Sequence, residues 1–216
     1  VGDLTSGSMT VDKVAPGLTY VSSTPTYVKN NTLVTINFKS NEQLSVANTS
    51  GTIKGRTGTV TYVNEDPGGT FNYTLTYTIP ENEAALEQGA MTYSITGKDI
   101  AANQSAIRGT SGTTYDREGP AVALTNNISG RTEVKNGTTV RITATFTDAA
   151  GTAINETPVP TITITKGQGA SGDITNANME KTSNTVWYYD WAVPTGTYAC
   201  AVTVSGADVA GNNAAA

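Results

Sequence analysis

The sequence predicts an all-β protein made of two antiparallel β-sandwich domains in tandem, and three observations carry that expectation. First, pieces of the central stretch 99–120 recur at both ends of the chain. Its front half returns as Asp208-Val209-Ala210-Gly211-Asn212, and its Asp-x-x-x-Pro half appears early as Asp12-Lys13-Val14-Ala15-Pro16. A closing motif and an opening motif thus meet only in the middle, as tandem repeats require. Second, apolar and polar residues alternate at period two through short runs separated by turn residues, the pattern of half-buried strands. Third, helix signals are confined to residues 81–88 (ENEAALEQ), which read as a loop holding at most one helical turn. In a chain of 216 residues, a prior of about 100–150 residues per domain agrees with two. The expected division is a leading strand 1–11, a first domain 12–115 and a second domain 116–216.

The strands follow in order. Met9-Thr10-Val11 is a weak one ahead of the first Asp-x-x-x-Pro. Leu18 and Tyr20 are matched by Val122 and Leu124 at an offset of 104 residues, and Val28-Lys29-Asn30-Asn31-Thr32 is echoed by Val134-Lys135-Asn136-Gly137-Thr138 at an offset of 106. That second pair is a turn signal leading into a strand. The strands so introduced place Val34, Ile36 and Phe38 on one face in the first copy, and Val140, Ile142, Ala144 and Phe146 in the second. Phe71, Tyr73, Leu75, Tyr77 and Ile79 alternate with Asn72 and three threonines, and Trp187, Tyr189, Trp191 and Val193 are their counterpart. Met91, Tyr93 and Ile95 run into Asp99 as Tyr198, Cys200, Val202 and Val204 run into Asp208. Several such strands per domain argue for the immunoglobulin-like type of sandwich. Tyr198, two residues before Cys200, matches the tyrosine corner of that fold, and Cys200, without a partner cysteine, is expected to be a small buried hydrophobe.

These residues also carry a family resemblance. Asp-x-Ala-Gly-Asn at a strand end, Asp-x-x-x-Pro opening the next unit, and the phrases TFNYTLTYTIP and GTYACAVTVSGADVAGN resemble bacterial Ig-like tandem repeats of surface adhesins and exported structural proteins. The resemblance implies an extracellular or cell-surface building block. It implies calcium as well, held at the junction between modules by Asp99, Asn103 and Asp116, with Asp12 and with Asp208 and Asn212 as half-sites at the ends. Hard oxygen donors of this kind suit an ion that takes about 6–8 of them. The competing reading is that the same side chains cap tight turns. Where the motif expects glycine the first copy has Ala102, which questions the turn there.

Composition narrows function mainly by exclusion. The formal net charge is -5 with only 13 Lys and Arg, which argues against nucleic acid or an anionic membrane as partner, and no stretch is apolar enough to span a bilayer. The chain contains no histidine, so neither a Ser-His-Asp nor a Cys-His arrangement can form, and a non-enzymatic role is expected. Carboxylate pairs such as Glu81 with Glu83 or Asp173 with Glu180 lack any surrounding signature, and Lys39 and Lys54 suggest no partner for an isopeptide bond. Asn-x-Ser/Thr sequons begin at Asn30, Asn48, Asn72, Asn103, Asn127, Asn136 and Asn155, and all but Asn103 stand as glycan candidates. Trp187, Tyr188, Tyr189 and Trp191 are a candidate platform for host or surface glycans, although only Tyr188 faces away from the core.

The phase of the repeat gives the sharpest expectation. Residues 105–115 precede Asp116 as residues 1–11 precede Asp12, while Asn212 is followed only by Asn213 and three alanines. The second domain is therefore expected to lack its own last strand. Either the chain is a segment of a longer array, such as an adhesin stalk, or residues 1–11, through Leu4, Met9 and Val11, complete the next copy head to tail by donor-strand exchange. A start at Val1 without an export segment fits a processed chain or a fragment, and the first of these favours the filament. A carbohydrate-binding accessory module of a secreted enzyme is the alternative from another class.

Overall fold

The computed structural model describes residues 11–128, 130–131, 133–167 and 173–214. The chain divides into two compact units, Val1–Tyr115 and Asp116–Ala216, each a sandwich of antiparallel sheets around its own core. Among the described residues no helix is long and apolar enough to cross a membrane.

In the first unit one layer has the order β1 (Leu18–Thr24), β3 (Leu33–Ser40), β6 (Phe71–Thr78) and β5 (Arg56–Glu65). The other has β4 (Ser50–Ile53), β7 (Gly89–Lys98), β8 (Gln104–Tyr115) and the short β2 (Tyr27–Val28). This is the immunoglobulin arrangement, with a first strand that splits between the layers. The two layers are joined through β5, whose start pairs with β4 and whose remainder pairs with β6. Alternation explains the burial. Val34, Ile36 and Phe38 on β3, Tyr73 and Leu75 on β6, and Met91 and Ile95 on β7 are almost fully buried, because successive side chains on a strand point to opposite faces. The β4–β5 hairpin turns on Lys54 and Gly55, both at positive φ (48° and 77°), the two-residue geometry whose twist matches the strands it joins.

Two local details differ from the sequence-based reading or add to it. Residues 81–88 form turns and bends with no helical turn, and the short 3-10 helix lies instead at Val46–Asn48. The alanine and glutamate run is too short to nucleate a helix, and it is held open from both sides: Asn30 donates to the Glu81 carbonyl and Lys54 to the Glu87 carbonyl. The polar tip after Glu65 closes the β5–β6 hairpin, where Asp66 accepts from Lys39 at 2.7 Å and from Asn72 at 2.8 Å. Both contacts hold the Asp66 carboxyl below the usual carboxylate range.

The second unit repeats the scheme, and its chain enters the position of β8 as far as Ala214, where Ala207 bridges Asn213 and the Ala214 N–H donates to the Gly206 carbonyl at 2.7 Å. Its first layer is β9 (Ala121–Asn126), β10 (Thr139–Thr147), β14 (Val186–Ala192) and β13 (Glu180–Lys181), and its second is β12 (Ile174–Asn178), β11 (Thr161–Lys166) and β15 (Cys200–Ser205). The core gathers Ile142, Ala144, Phe146, Ile162, Ile164, Trp187 and Trp191. β15 stands where β7 stands in the first unit, paired on one side with β11. On its other side, where β7 carries β8, no strand lies among the described residues.

Candidate functional site

Two kinds of feature stand out: a matched pair of acidic clusters, and the free edge of β15. The clusters are built by the same backbone device. In the first unit Asp99 follows β7, and its Oδ1 accepts the Asn103 backbone N–H at 2.8 Å while its Oδ2 accepts from Asn103 Nδ2 at 2.8 Å. In the second unit Asp208 binds the Asn212 N–H at 2.9 Å and Nδ2 at 3.1 Å. The same amide groups reach the opening aspartates, Asn103 Nδ2 to the Asp12 carbonyl at 3.3 Å and Asn212 Nδ2 to the Asp116 carbonyl at 3.1 Å. Each opening Asp also turns its own chain, Asp12 Oδ1 accepting from the Val14 N–H and Asp116 Oδ1 from the Glu118 N–H. One unit's closing motif is thereby tied to the same unit's opening motif.

The turn within the closing motif runs through a left-handed residue, Gly211 at φ 85° in one unit and Ala102 at φ 70° in the other. Ala102 accepts the conformation that glycine adopts freely, so the departure in sequence changes strain and leaves the shape intact. Ala102→Gly should therefore stabilise the first unit by about 1 kcal/mol and Gly211→Ala should destabilise the second by a similar amount, read from the shift in each unit's unfolding midpoint. No change in either would mean that the left-handed turn is absent in solution.

A third carboxylate completes each cluster. Asp12, Glu42 and Asp99 bring ligand oxygens within 4.8 Å of one another, as do Asp116, Asp148 and Asp208. Asp99, Asp116 and Asp208 are buried. Glu42 and Asp148 correspond at the offset of 106 residues that relates Val28 to Val134, each lying shortly after the inner strand of its unit. In the second unit Thr152 Oγ1 donates to Asp116 Oδ2 at 2.7 Å, and Asp148 Oδ1 accepts from the Ala150 and Thr152 N–H groups. Asp148 Oδ2 is buried without a hydrogen-bond partner. Burial pushes the Asp116 carboxyl above the usual carboxylate range, with Asp148 and Asp208 adding to the rise. Glu42 is pushed up in the same way, by burial and then by Asp12 and Asp99. Crowded, partly desolvated carboxylates with an oxygen left over could hold a hard cation.

Of the six residues anticipated as ligands, four aspartates belong to the two clusters and the two asparagines lie beside them. Asp116 joins Asp208 and Asp148, and Asp12 joins Asp99 and Glu42, so each set of three carboxylates gathers within one unit. Asn103 and Asn212 act as braces, their amide nitrogens holding the aspartates, and Glu42 and Asp148 supply the third carboxylate. Sequence reasoning missed those two because they belong to no motif, although their shared offset was visible.

The free edge of β15 borders a groove of about 770 Å³ lined by Leu124, Val134, Asn136, Val193, Cys200 and Val202, among others. Burial differs accordingly between repeats. Met91 and Val28, covered by β8, are 0% and 1% exposed, while their counterparts Cys200 and Val134 are exposed and half-buried. The expectation of a buried Cys200 is thus corrected: it is exposed, and among the described residues no strand pairs with β15 on the side away from β11. Leu4 and Met9 of the suggested donor segment lie outside the described residues. Val11 is described, belongs to no strand and is 71% exposed.

The aromatic candidate and the sequons are also located. Tyr188 is half-buried, with the Arg141 guanidinium 4.0 Å from its ring centre and its hydroxyl bonded to Glu180. Arg141 in turn forms a fork with Asp190 at 2.6 and 2.8 Å. Arg141 covers one face of the Tyr188 ring, and Trp187 and Trp191 are core residues. Of the glycan candidates, Asn48, Asn127 and Asn136 are exposed, while Asn30, Asn72 and Asn155 are half-buried. Asn30 and Asn72 already use their amide nitrogens in hydrogen bonds.

No protein-family model matches the chain, and no curated protein matches it. Similar solved structures include fibronectin(III)-like modules of Clostridium thermocellum CbhA, at 13% identity over 92% of this chain and 90% of that one with a TM-score of 0.34. They also include a Ca2+-stabilized adhesin with which an Antarctic bacterium binds ice, at 21% identity, 94% and 47% coverage and a TM-score of 0.41. A 1.5-MDa bacterial ice-binding adhesin is similar at 14% identity, 94% and 63% coverage and a TM-score of 0.44. The chain spans about half of the first adhesin structure and under two thirds of the second. At these identities the likeness concerns the fold.

Proposed function

We propose that this chain is a non-enzymatic, extracellular structural subunit that joins copies of itself head to tail, its second unit being completed by residues 1–11 of another copy. The observation that carries this reading is the edge of β15, unpaired among the described residues, beside a groove of mixed apolar and polar lining, at the position where the first unit seats β8. An unpaired edge leaves backbone N–H and C=O groups without partners and apolar side chains uncovered, and an added strand satisfies both. Residues 1–11 are the matching segment because they precede Asp12 as the body of β8 precedes Asp116. Donor and acceptor are different surfaces, so the contact repeats as an open filament. Calcium in the two acidic clusters would hold each unit's opening and closing motifs together, stiffening the end of every module.

Removing residues 1–11 tests the assembly. The full chain should form fibres visible by electron microscopy and sediment as polymers, and the shortened chain should remain monomeric with its β-sheet circular dichroism retained. Fibres that persist without residues 1–11, or a full chain that stays monomeric at every concentration, would overturn the reading. The second of these outcomes is the one expected of an adhesin stalk segment.

A further inference from the structure

The hairpin tip between β5 and β6 in the first unit holds the only Asp–Pro bond of the chain, Asp66–Pro67, where the strand ends and the exposed turn Pro67-Gly68-Gly69 begins. Such a bond can be opened from within the chain. The aspartate carboxylate reaches its own backbone carbonyl carbon by closing a small ring, and the prolyl nitrogen, a tertiary amide nitrogen without an N–H, takes up a proton and departs more easily than an ordinary one.

The fold surrounds this bond with the groups that such an opening uses. The Asp66 carbonyl oxygen accepts the Gly69 N–H at 2.9 Å, a donor placed where negative charge develops when the carbonyl carbon is attacked. Lys39 Nζ donates to Asp66 Oδ2 at 2.7 Å and Asn72 Nδ2 to Oδ1 at 2.8 Å. These two contacts hold the carboxyl below the usual carboxylate range and so keep it in the ionised form that attacks. Lys39 comes from a strand that is not part of the hairpin. It stands on β3 opposite Asn72 of β6, which in turn pairs with Asn64 of β5, so its side chain reaches across β6 to the tip. The sequence offered Lys39 no partner for an amide bond, and the fold supplies a carboxylate at hydrogen-bond distance from its amine.

We propose that the Asp66–Pro67 bond opens without an external protease and that Lys39 captures the product as a Lys39–Asp66 side-chain amide. A carboxylate oxygen of Asp66 attacks its own backbone carbonyl carbon, the bond to Pro67 N breaks, and that nitrogen takes a proton from solvent. A cyclic anhydride is left at Asp66. Lys39, having given one proton to solvent, attacks Cγ through Nζ. The bond from Cγ to the ring oxygen breaks, its electron pair remains on the freed backbone carboxylate, and the second Nζ proton passes through solvent to Pro67 N, now a charged amino terminus. One amide is exchanged for another, and no water or oxidant is consumed. The amine is already beside the carboxyl, which favours it over solvent water as the attacking group.

The pairing of β5 with β6, from Thr59 opposite Thr76 to Glu65 opposite Phe71, does not depend on the bond at the tip. Residues 1–66 and 67–216 therefore stay together in the folded sandwich after the chain is cut. In a structural subunit this makes the first unit a releasable joint, because everything beyond residue 66 is freed once that unit unfolds.

The full chain, kept warm at neutral pH and sampled over days, should give two bands on denaturing gels. Intact mass spectrometry should find residues 67–216 and a fragment 1–66 lighter by one water than the linear peptide, with the Lys39–Asp66 link visible after digestion. Pro67→Ala should slow cleavage by about tenfold or more, and so should urea, which removes the contacts at the tip. Lys39→Arg, which keeps the ion pair, should still be cut but yield only the linear fragment; circular dichroism checks that each variant is folded. A wild-type chain that stays whole, or one cut equally fast in urea or with Pro67→Ala, overturns the self-cleavage. A linear fragment 1–66 from the wild type overturns capture by Lys39. An uncut chain lighter by one water and linked between Lys39 and Asp66 overturns the route through the chain break. None of these outcomes bears on strand exchange by residues 1–11, which the deletion of that segment tests separately.

Discussion

Asp208→Ala should destabilise the second unit by about 3 kcal/mol without calcium and by more with it, whereas Asp148→Asn should remove the stabilisation by calcium and cost nothing in its absence. The contrast follows from what each carboxylate does. Asp208 is fully buried and accepts both the backbone and the side-chain N–H of Asn212, so its loss strands two donors, each worth about 1–3 kcal/mol when left buried and unpaired. Asp148 makes its backbone hydrogen bonds through Oδ1, and its Oδ2 has no partner. Asparagine keeps the first oxygen and replaces only the second. Without a cation the change even relieves the repulsion that helps push Asp116 up. Calcium at about a hundredfold above its dissociation constant should stabilise a binding unit by about 2.7 kcal/mol, so calorimetry with calcium and with a chelator reads the difference. The same scan on Glu42→Gln checks the first unit. If neither variant alters the calcium response, the aspartates only cap their turns.

Tyr115→Ala should cost the first unit about 4 kcal/mol, by far the larger of two effects at that position, and Tyr115→Phe about 1–2 kcal/mol. The ring is fully buried at the end of β8, over Val28 and Asn30. Truncation opens a cavity of the kind that costs about 3–5 kcal/mol for large aromatics, while removing the hydroxyl takes away the single O–H donor that Asn30 Oδ1 and the Glu83 carbonyl share. Urea unfolding of the first unit, followed by far-ultraviolet circular dichroism, measures both. A loss below about 1 kcal/mol for the alanine variant would mean that β8 does not close the first sandwich, and the comparison that exposes the groove in the second would fail with it.

The likeness of the two units also explains why the acidic clusters were half legible. The motifs Asp-x-x-x-Pro and Asp-x-Ala-Gly-Asn, the latter with Ala102 for glycine in the first copy, marked Asp12, Asp99, Asn103, Asp116, Asp208 and Asn212 by local turn chemistry, which short sequences encode. Nothing local says that Asp12 meets Asp99, since that contact depends on β1 to β7 returning the chain to the end of the unit where it began. Nor does a motif show that Asn103 and Asn212 turn their amide nitrogens toward the aspartates and so serve as braces. Glu42 and Asp148 enter the clusters through the length of β3 and β10, and their only trace in the sequence is a shared offset.

What the amino-acid sequence determined by itself was everything periodic: the strands, their inward faces, the two repeats and the turn residues between them. A strand buried on one face must alternate, and a repeated unit must reuse its turns, so both leave marks in the order of residues. What only the tertiary structure decided was coverage and encounter. Cys200 has the alternation of a core residue and Asn136 the surroundings of Asn30, yet both stay open because burial is conferred by a neighbouring strand, and pairing between distant strands is a property of the assembled sheet.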